Sequence, residues 1–356
     1  MNNSVTDWIR PEILQLSAYH VPDPGDAIKL DAMENPYQWD ATLIEQWLPI
    51  LKTAALNRYP DPIASELKQQ LRVTMQIPDN MEIILGNGSD ELIQMLALTF
   101  NGKERVLLAP EPGFVMYRLI AQCVGMQYVG VPLIAENFQL DIFSMLEAVE
   151  IHQPALTFLA YPNNPTGNLF AVEDIENIIE TCPGLVILDE AYAPFTDNTF
   201  MSHLGQYPNL LVMRTVSKLG LAGLRLGLLV GPKTWLEHIE KTRLPYNINV
   251  LTQLSASFAL RHYAVLKAQT LQIRMDRTEL LSNLNGLTGV HAWPSQANFI
   301  LFRVAEAPKV FNKLKDRGIL IKCLHGSHPL LENCLRVTVG KKEENQAFLQ
   351  ALEKIV

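Results

Sequence analysis

Short apolar segments alternate with longer amphipathic segments over residues 57–245. Several of the short segments are apolar throughout, which is typical of strands covered on both faces, and the longer ones carry apolar residues at helical spacing. This alternation predicts an α/β layer with a largely parallel sheet. The predicted strands are 82–85, 105–108, 127–131, 155–159, 185–188, 210–214 and 226–230, and the predicted helices include 90–100, 114–124, 141–149 and 172–180.

The pattern changes after Pro245. Residues 250–284 have apolar side chains at helical spacing and no Pro or Gly, which predicts one long connecting helix. The remainder predicts strands 298–303, 319–322 and 335–339 and helices 309–317 and 343–355. We therefore predict a large domain over 50–245 and a small α+β domain formed by 246–356 with the N-terminal arm, 1–49.

The composition is that of a folded globular chain. Its 356 residues suit about two domains. Hydrophobic residues at 48% and charged residues at 19% leave too much apolar surface for a disordered chain. The formal net charge of -8 offers no basic footprint, so neither nucleic acid nor an anionic membrane surface is an expected partner.

The chain shows no targeting or membrane-spanning pattern. Charged residues and Pro11 interrupt residues 1–21, so no signal peptide is expected. Apolar runs such as 226–230 are far shorter than the roughly 20 residues that a membrane helix needs. The four cysteines form no C-x-x-C pair and no metal-ligand spacing, which favours free thiols, no metal site and a reducing compartment. We therefore expect a cytoplasmic protein.

One lysine stands among small and apolar residues just after the predicted strand 210–214. Lys218 lies in the stretch 217–227, which reads SKLGLAGLRLG. Such surroundings desolvate the amine, which lowers its pKa and suits a lysine that forms a Schiff base. The alternative is a lysine that extends from a strand end to solvent.

A carboxylate follows the apolar strand 185–188. Asp189 stands where α/β sheets bind their ligands, and a buried carboxylate there needs a partner. A pyridinium nitrogen is a suitable one. The alternatives are a helix N-cap and a metal-binding carboxylate of the Walker B kind, and the chain has no Walker A sequence to support the second.

Two loops also follow predicted strands. Residues 85–93, LGNGSDELI, place Gly88 and Ser89 at a helix start, where backbone N–H groups bind phosphate, although any capped helix after a strand looks similar. Residues 160–167, AYPNNPTG, predict a rigid loop whose asparagines are either turn residues or side-chain donors. Each loop is ambiguous when taken alone.

The order and spacing of these four stretches resemble those of the fold type I pyridoxal 5'-phosphate (PLP) aminotransferases. Within that superfamily, the chain is similar to the histidinol-phosphate aminotransferase family in 30–37 (LDAMENPY), 57–62 (NRYPDP), 217–227 and 334–340 (CLRVTVG). The resemblance runs through most of the chain. It implies a large α/β domain with a mostly parallel central sheet, a smaller α+β domain and PLP as the cofactor.

The resemblance implies roles around the PLP ring. Lys218 is implied to be the covalent anchor of PLP and the base that moves a proton between substrate and cofactor. Asp189 is implied to pair with the pyridinium nitrogen, Asn164 and Tyr192 to hydrogen-bond the phenolic oxygen, and Phe114 to stack on the ring.

The resemblance also implies a phosphate site. The PLP phosphate is expected at the helix start formed by Gly88, Ser89 and Asp90, with Ser217 and Arg225 as further donors. An arginine suits this role because its donors form a planar fork.

A shared active site is a further implication of the resemblance. Tyr59 stands in the stretch NRYPDP. In the resembled family this tyrosine reaches the cofactor phosphate of the neighbouring subunit. The chain is therefore expected to form an obligate homodimer.

Four residues are implied to bind substrate. Arg336 and Asn35 match the residues that hold the α-carboxylate of glutamate. Tyr19 is expected to help bind the phosphate of histidinol phosphate, with a packing tyrosine as the alternative. Lys322 stands where many relatives carry an arginine, and lysine keeps the charge but loses the bidentate fork.

The implied activity is reversible transamination of histidinol phosphate with 2-oxoglutarate, giving imidazole-acetol phosphate and glutamate, in L-histidine biosynthesis. Alternatives are an aromatic (Phe/Tyr) aminotransferase, a decarboxylase of phosphorylated threonine and a PLP-binding regulatory module. The last is disfavoured because Lys218, Asp189 and Arg336 are all present and no helix-turn-helix domain is attached.

Overall fold

Apolar strands and amphipathic helices alternate in the computed structural model, which describes residues 5–18, 22–102 and 104–356. The strands are β1 (Ile28–Lys29), β2 (Glu82–Asn87), β3 (Val106–Glu111), β4 (Gln127–Pro132), β5 (Leu156–Ala160), β6 (Leu185–Asp189), β7 (Leu210–Thr215), β8 (Leu226–Gly231), β9 (Val290–Ala292), β10 (Phe299–Val304), β11 (Ile319–Leu320), β12 (Lys322–Cys323) and β13 (Cys334–Thr338).

The helices include several that begin with a side-chain cap: Asp40, Asp141 and Asn249 each accept a hydrogen bond from a first-turn backbone N–H. The helices are α1 (Pro11–Leu14), α2 (Ala41–Leu51), α3 (Ser65–Met75), α4 (Ser89–Phe100), α5 (Met116–Val124), α6 (Ile142–His152), α7 (Val172–Thr181), α8 (Lys233–Ile239), α9 (Val250–Arg261), α10 (Tyr263–Gly286), α11 (Ala307–Asp316) and α12 (Lys342–Glu353).

The larger sheet has the strand order β2-β8-β7-β6-β5-β3-β4. Strands β4, β3, β5, β6 and β7 run parallel, and β8 is antiparallel to both of its neighbours. Alternate residues enter two apolar clusters, with Val186 and Leu188 in one and Leu185 and Ile187 in the other. Both faces are therefore covered, and the predicted α/β fold with a mostly parallel sheet is confirmed.

The smaller sheet has the order β12-β13-β10-β9 and is antiparallel. A third apolar cluster, which includes Phe299, Phe302 and Phe348, packs against it. The predicted single strand 319–322 is two pieces, because β11 pairs with β1 whereas β12 joins the smaller sheet. The domain boundaries at 49/50 and 245/246 stay a prediction.

The predicted long connecting helix is interrupted at His262, where α9 ends and α10 begins one residue later. The two halves have different partners. Ala256 and Ala259 belong to a cluster under the larger sheet, whereas Ile273 and Leu280 belong to the cluster of the smaller sheet. The expectation of one continuous helix is therefore wrong at this residue. The change of packing partner comes later, within α10, because Leu266 still belongs to the first cluster.

Across the described ranges, none of these helices combines enough length with enough apolar character to cross a membrane.

Candidate active site

The carboxyl ends of β5, β6 and β7 border a cavity of about 220 Å3. Asn164, Asp189 and Lys218 follow or end these three strands, and all three line the cavity. Because parallel strands end at the same edge of a sheet, side chains that are far apart in sequence meet here. The opposite wall comes from residues 32–34.

Lys218 lies in a short 3-10 turn directly after β7. Its Nζ donates to the backbone oxygen of Ala32 at 3.3 Å and lies 5.7 Å from the ring centroid of Tyr192. Desolvation lowers the pKa of Lys218 to about 8, and the positive charge of Arg336 acts in the same direction. The amine can therefore lose its proton close to neutral pH, as the sequence predicts.

Asp189 is the last residue of β6 and is only 3% exposed. One carboxylate oxygen, Oδ2, accepts from the hydroxyl of Tyr117 at 2.7 Å, and Oδ1 accepts from the backbone N–H of Ala191 at 3.1 Å. Burial raises the pKa of Asp189 to about 6, and these two hydrogen bonds oppose the rise. No basic side chain among the described residues forms an ion pair with Asp189, so the site suits a cationic ring nitrogen.

Arg336, Asn164 and Tyr192 form a buried chain of hydrogen bonds beside Lys218. Arg336 Nη1 donates to Asn164 Oδ1 at 2.6 Å, and Asn164 Nδ2 donates to the Tyr192 hydroxyl at 3.2 Å. A second nitrogen of Arg336 donates to the backbone oxygen of Asp31 at 3.0 Å. The three side chains come from the smaller sheet and from two loops of the larger one, and the structure brings them together.

The start of α4 forms a cradle with Arg225. Gly88 has φ +81°, and a Cβ atom there would lie 2.7 Å from an Arg225 nitrogen, so only glycine leaves this space open. Arg225 Nη2 also forms an ion pair with Asp90 Oδ2 at 3.3 Å. Ser89 begins the helix, and the Ser217 hydroxyl lies 2.9 Å from Thr215 Oγ1. Helix N–H groups and a guanidinium suit a phosphate.

These features together fit PLP. An amine able to lose its proton, a buried carboxylate without a cationic partner and a cradle for an anion line one cavity. Phe114 lines the same cavity and is half-buried, as a stacking ring should be.

The remaining predicted site residues are Asn35, Lys322, Tyr59 and Tyr19, and none of them lines the cavity in the part of the chain that the structure describes. Asn35 Nδ2 donates to Leu219 O at 3.3 Å and therefore contacts the turn that carries Lys218. Lys322 on β12 is directly opposite Arg336 on β13, so both side chains leave the same face of the sheet. Tyr59 is 80% exposed, and Tyr19 lies outside the described residues.

Sequence reasoning missed two residues. Tyr117 contacts Asp189 through its hydroxyl. Its signal was the three-residue spacing from Phe114, which lets the two rings meet across the turn that leads into α5. Glu34 lines the cavity, and its charge opposes the fall in the pKa of Lys218. Its position next to Asn35 in the stretch LDAMENPY was the available signal.

A second cavity, of about 300 Å3, lies behind the first around Glu190 and Arg214. The Glu190 carboxylate is fully buried and accepts from Arg214 at 2.7 Å, from the Thr199 hydroxyl and from the backbone N–H of Phe200. The buried charges of Glu190 and Arg214 thus neutralise each other, whereas Asp189 in the first cavity has no ion-pair partner among the described residues.

Comparison with known proteins gives the family. The family model for aminotransferase class I and II matches residues 25–352. The chain belongs to the class I and II aminotransferases. This match spans the cavity and every described element from β1 to the last turn of α12.

Relatives of this aminotransferase match nearly its full length. It is 56% identical over 351 residues to the histidinol-phosphate aminotransferase 2 of Nitrosococcus oceani, covering 98% of this chain and 97% of the relative. The histidinol-phosphate aminotransferase 2 of Cupriavidus pinatubonensis is 51% identical, with 96% and 95% covered. The solved structure of the Sinorhizobium meliloti histidinol-phosphate aminotransferase with PLP is 24% identical, with a TM-score of 0.86 and with 98% and 97% covered, and it shows the same fold.

Proposed function

We propose that this aminotransferase transfers the amino group of histidinol phosphate to 2-oxoglutarate, giving imidazole-acetol phosphate and glutamate, in L-histidine biosynthesis. The observation that carries the substrate assignment is the 56% identity, over 98% of the chain, to a histidinol-phosphate aminotransferase. The cavity supports the chemistry, because it holds an amine whose pKa is lowered by burial and by the charge of Arg336 and which lies 5.7 Å from the ring centroid of the buried Tyr192.

PLP, when bound, supplies an electrophilic carbon for the amino group and a ring that withdraws electrons from the substrate α-carbon. Lys218 is the anchor and the group that takes and returns the α-proton, because its pKa of about 8 lets the amine exist in both forms near neutral pH. Asp189 would pair with the ring nitrogen, and Asn164 and Tyr192 would hydrogen-bond the phenolic oxygen, since all three line the cavity.

The cradle at Gly88 holds the cofactor phosphate. The N–H groups at the start of α4 and the hydroxyls of Ser89 and Ser217 donate to it, and Arg225 supplies the charge. Asp90 pairs with Arg225 and orients the guanidinium. Phe114 covers one face of the ring.

Substrate recognition falls to side chains on the smaller sheet and the N-terminal segment. Arg336 and Asn35 bind the α-carboxylate of glutamate, Arg336 with two N–H donors, and Asn35 also contacts the turn that carries Lys218. Lys322 stands beside Arg336 and supplies charge for the phosphate of histidinol phosphate, together with Tyr19.

We further propose a homodimer that shares its active sites. Tyr59 is 80% exposed and stacks on Tyr246, with ring centroids 4.4 Å apart. Exposed apolar side chains are concentrated in the same two segments: Leu56, Ile63, Leu244 and Leu251. An exposed apolar patch of this kind marks an interface. Analytical ultracentrifugation should give a dimer, and Leu244→Glu should give a monomer that binds PLP more weakly.

Two predictions about setting and organisation also belong to the proposal. The enzyme works in the cytoplasm, where activity should fractionate with the soluble cell contents. The regions 50–245 and 246–356 with 1–49 act as two domains, so limited proteolysis of the Leu244→Glu monomer should cut first within 243–249, which contains no helix or strand.

A half-reaction tests the substrate assignment. The PLP-loaded enzyme is mixed with histidinol phosphate alone, or with phenylalanine alone, and the absorbance of the bound cofactor is followed without any keto acid. We expect rapid conversion with histidinol phosphate and much slower conversion with phenylalanine.

The other outcomes are distinct. Faster conversion with phenylalanine would reassign the enzyme to aromatic amino acids and leave the role of Lys218 intact. No conversion with either donor would contradict transamination and favour a PLP-binding module.

A further inference from the structure

Tyr117 is a buried aromatic side chain, 1% exposed, next to the predicted cofactor partner Asp189. Its hydroxyl donates to Asp189 Oδ2 at 2.7 Å, and both groups are buried. A hydrogen bond to an ionised acceptor in a dry site is among the stronger ones in proteins. The contact therefore holds the carboxylate in a defined position.

The tyrosine ring is fixed by neighbours on both sides. It stacks on Phe158, with centroids 4.7 Å apart, and meets Phe114 edge to face at 5.5 Å. Phe114 precedes α5, and the bond from the Tyr117 N–H to the Phe114 backbone oxygen at 3.1 Å closes the turn between them. The turn that leads into α5 thus carries both the expected stacking ring and the donor to Asp189.

We propose that Tyr117 is a positioning residue that keeps the Asp189 carboxylate ionised and aimed at the ring nitrogen of PLP. This inference rests on PLP as the cofactor of the proposed function, and it is independent of which amino donor the enzyme uses. Tyr117 acts through Asp189 and does not touch the reacting atoms.

The electrostatic surroundings explain why a donor is needed. Asp189 is desolvated, and the negative charges of Asp90 and Glu190 further disfavour its ionised form. The hydroxyl of Tyr117 and the backbone N–H of Ala191 are the donors that favour it. Without the hydroxyl, the carboxylate becomes more basic and competes for the proton that the ring nitrogen needs in order to withdraw electrons.

The test is Tyr117→Phe, which removes the hydroxyl and keeps the ring. PLP affinity is measured by equilibrium dialysis of the PLP-stripped full chain, and we expect it to weaken about tenfold, since a hydrogen bond to a charged group is lost. Tyr161→Phe is the matched control, because the Tyr161 side chain is similarly buried and packs on Phe200. Its contact with Asp189 is a backbone hydrogen bond, which the substitution keeps. Tyr161→Phe should leave PLP affinity unchanged.

Two further readouts separate positioning from general packing. In the Asp189→Asn background, Tyr117→Phe should no longer weaken PLP binding, because the charged acceptor is gone. The pH midpoint of the absorbance change of bound PLP should shift in Tyr117→Phe and stay unchanged in Tyr161→Phe.

Equal losses of PLP affinity in both backgrounds, or an unshifted absorbance midpoint, would overturn the inference. If Asp189→Asn binds PLP too weakly to measure, the same four proteins are compared by urea unfolding without PLP. Coupling between the two substitutions is expected there as well, and strict additivity would count against the proposal. None of these measurements uses an amino donor, so failure of the substrate assignment would leave them unaffected.

Discussion

The part of the active site built on the larger sheet and the part contributed by the N-terminal segment and the smaller sheet are held in different ways. Asp189 ends a strand that is buried throughout and receives two hydrogen bonds from its own surroundings. Arg336, in contrast, reaches across from the smaller sheet to Asn164 and to the backbone of Asp31. The first part is preorganised, whereas the second depends on how the two sheets meet.

This difference separates two tasks. A cofactor that stays bound through many turnovers needs a fixed site, and two different amino donors need a region that can adjust. Substitutions in the larger-sheet part should therefore change PLP affinity and kcat together. Substitutions in the other part should change KM or kcat/KM for the substrates and leave PLP affinity nearly unchanged.

Lys218→Ala should have the largest effect. Loss of the anchor and proton carrier is expected to lower kcat by at least about a thousandfold, the upper part of the range for general acid–base groups. Steady-state assays with histidinol phosphate and 2-oxoglutarate measure the loss. Lys267→Ala, at the second cavity, is the control and should keep normal activity. Retention of a tenth of the activity by Lys218→Ala would show that another group carries the proton.

Arg336→Ala should have the next largest effect. Removing two charged donors is expected to lower kcat/KM for glutamate about a hundredfold while PLP affinity changes less than about twofold. Arg336→Lys should recover only part of this loss, because lysine lacks the planar fork. If PLP affinity fell by as large a factor as kcat/KM for glutamate, the two parts of the site would not have separate roles.

Lys322→Ala should act on one substrate only. Its charge stands beside Arg336, so KM for histidinol phosphate is expected to rise about tenfold with little change for glutamate. Lys322→Arg should restore the wild-type KM or improve on it. An equal rise in KM for both substrates would place Lys322 in a shared carboxylate site.

The smallest effect concerns pH. Desolvation lowers the pKa of Lys218 from its ordinary value of 10.5 to about 8, so between these values the unfolded chain binds more protons at this group than the folded chain does. The contribution of Lys218 to the free energy of unfolding should therefore rise with pH from about 8 to about 10.5 and stay constant below. Urea unfolding of the PLP-free protein and of Lys218→Met isolates this slope as a difference. A difference that does not vary with pH would mean that the amine is not desolvated.

Much of the larger-sheet part could be predicted from the sequence because its residues lie next to strands. The strand before Asp189 is continuously apolar, and Lys218 follows another such strand, so the pattern that locates the sheet edge also locates these residues. The predicted strands and helices around them agree with β5, β6, β7 and α7 to within a few residues.

The contacts between distant segments could not be predicted from periodicity. The bond from Arg336 to Asn164 joins residues 172 positions apart, and nothing local to either specifies it. The break at His262 was missed because neither Pro nor Gly marks it in a stretch of good helix propensity. The bond from Tyr117 to Asp189 was missed as well, because the spacing of Tyr117 from Phe114 does not show which distant group accepts from its hydroxyl.

The antiparallel pairing of β8 with β7 places Lys218 and Arg225 in the same hairpin. Strands β7 and β8 form a hairpin over residues 210–231, closed by the bond from Val216 N–H to Leu226 O. Lys218 and Arg225 both lie in the connecting turn, one expected at the aldehyde end of PLP and the other at its phosphate. The spacing between these two expected contacts is therefore set within one hairpin of the larger sheet, and the smaller sheet takes no part in it.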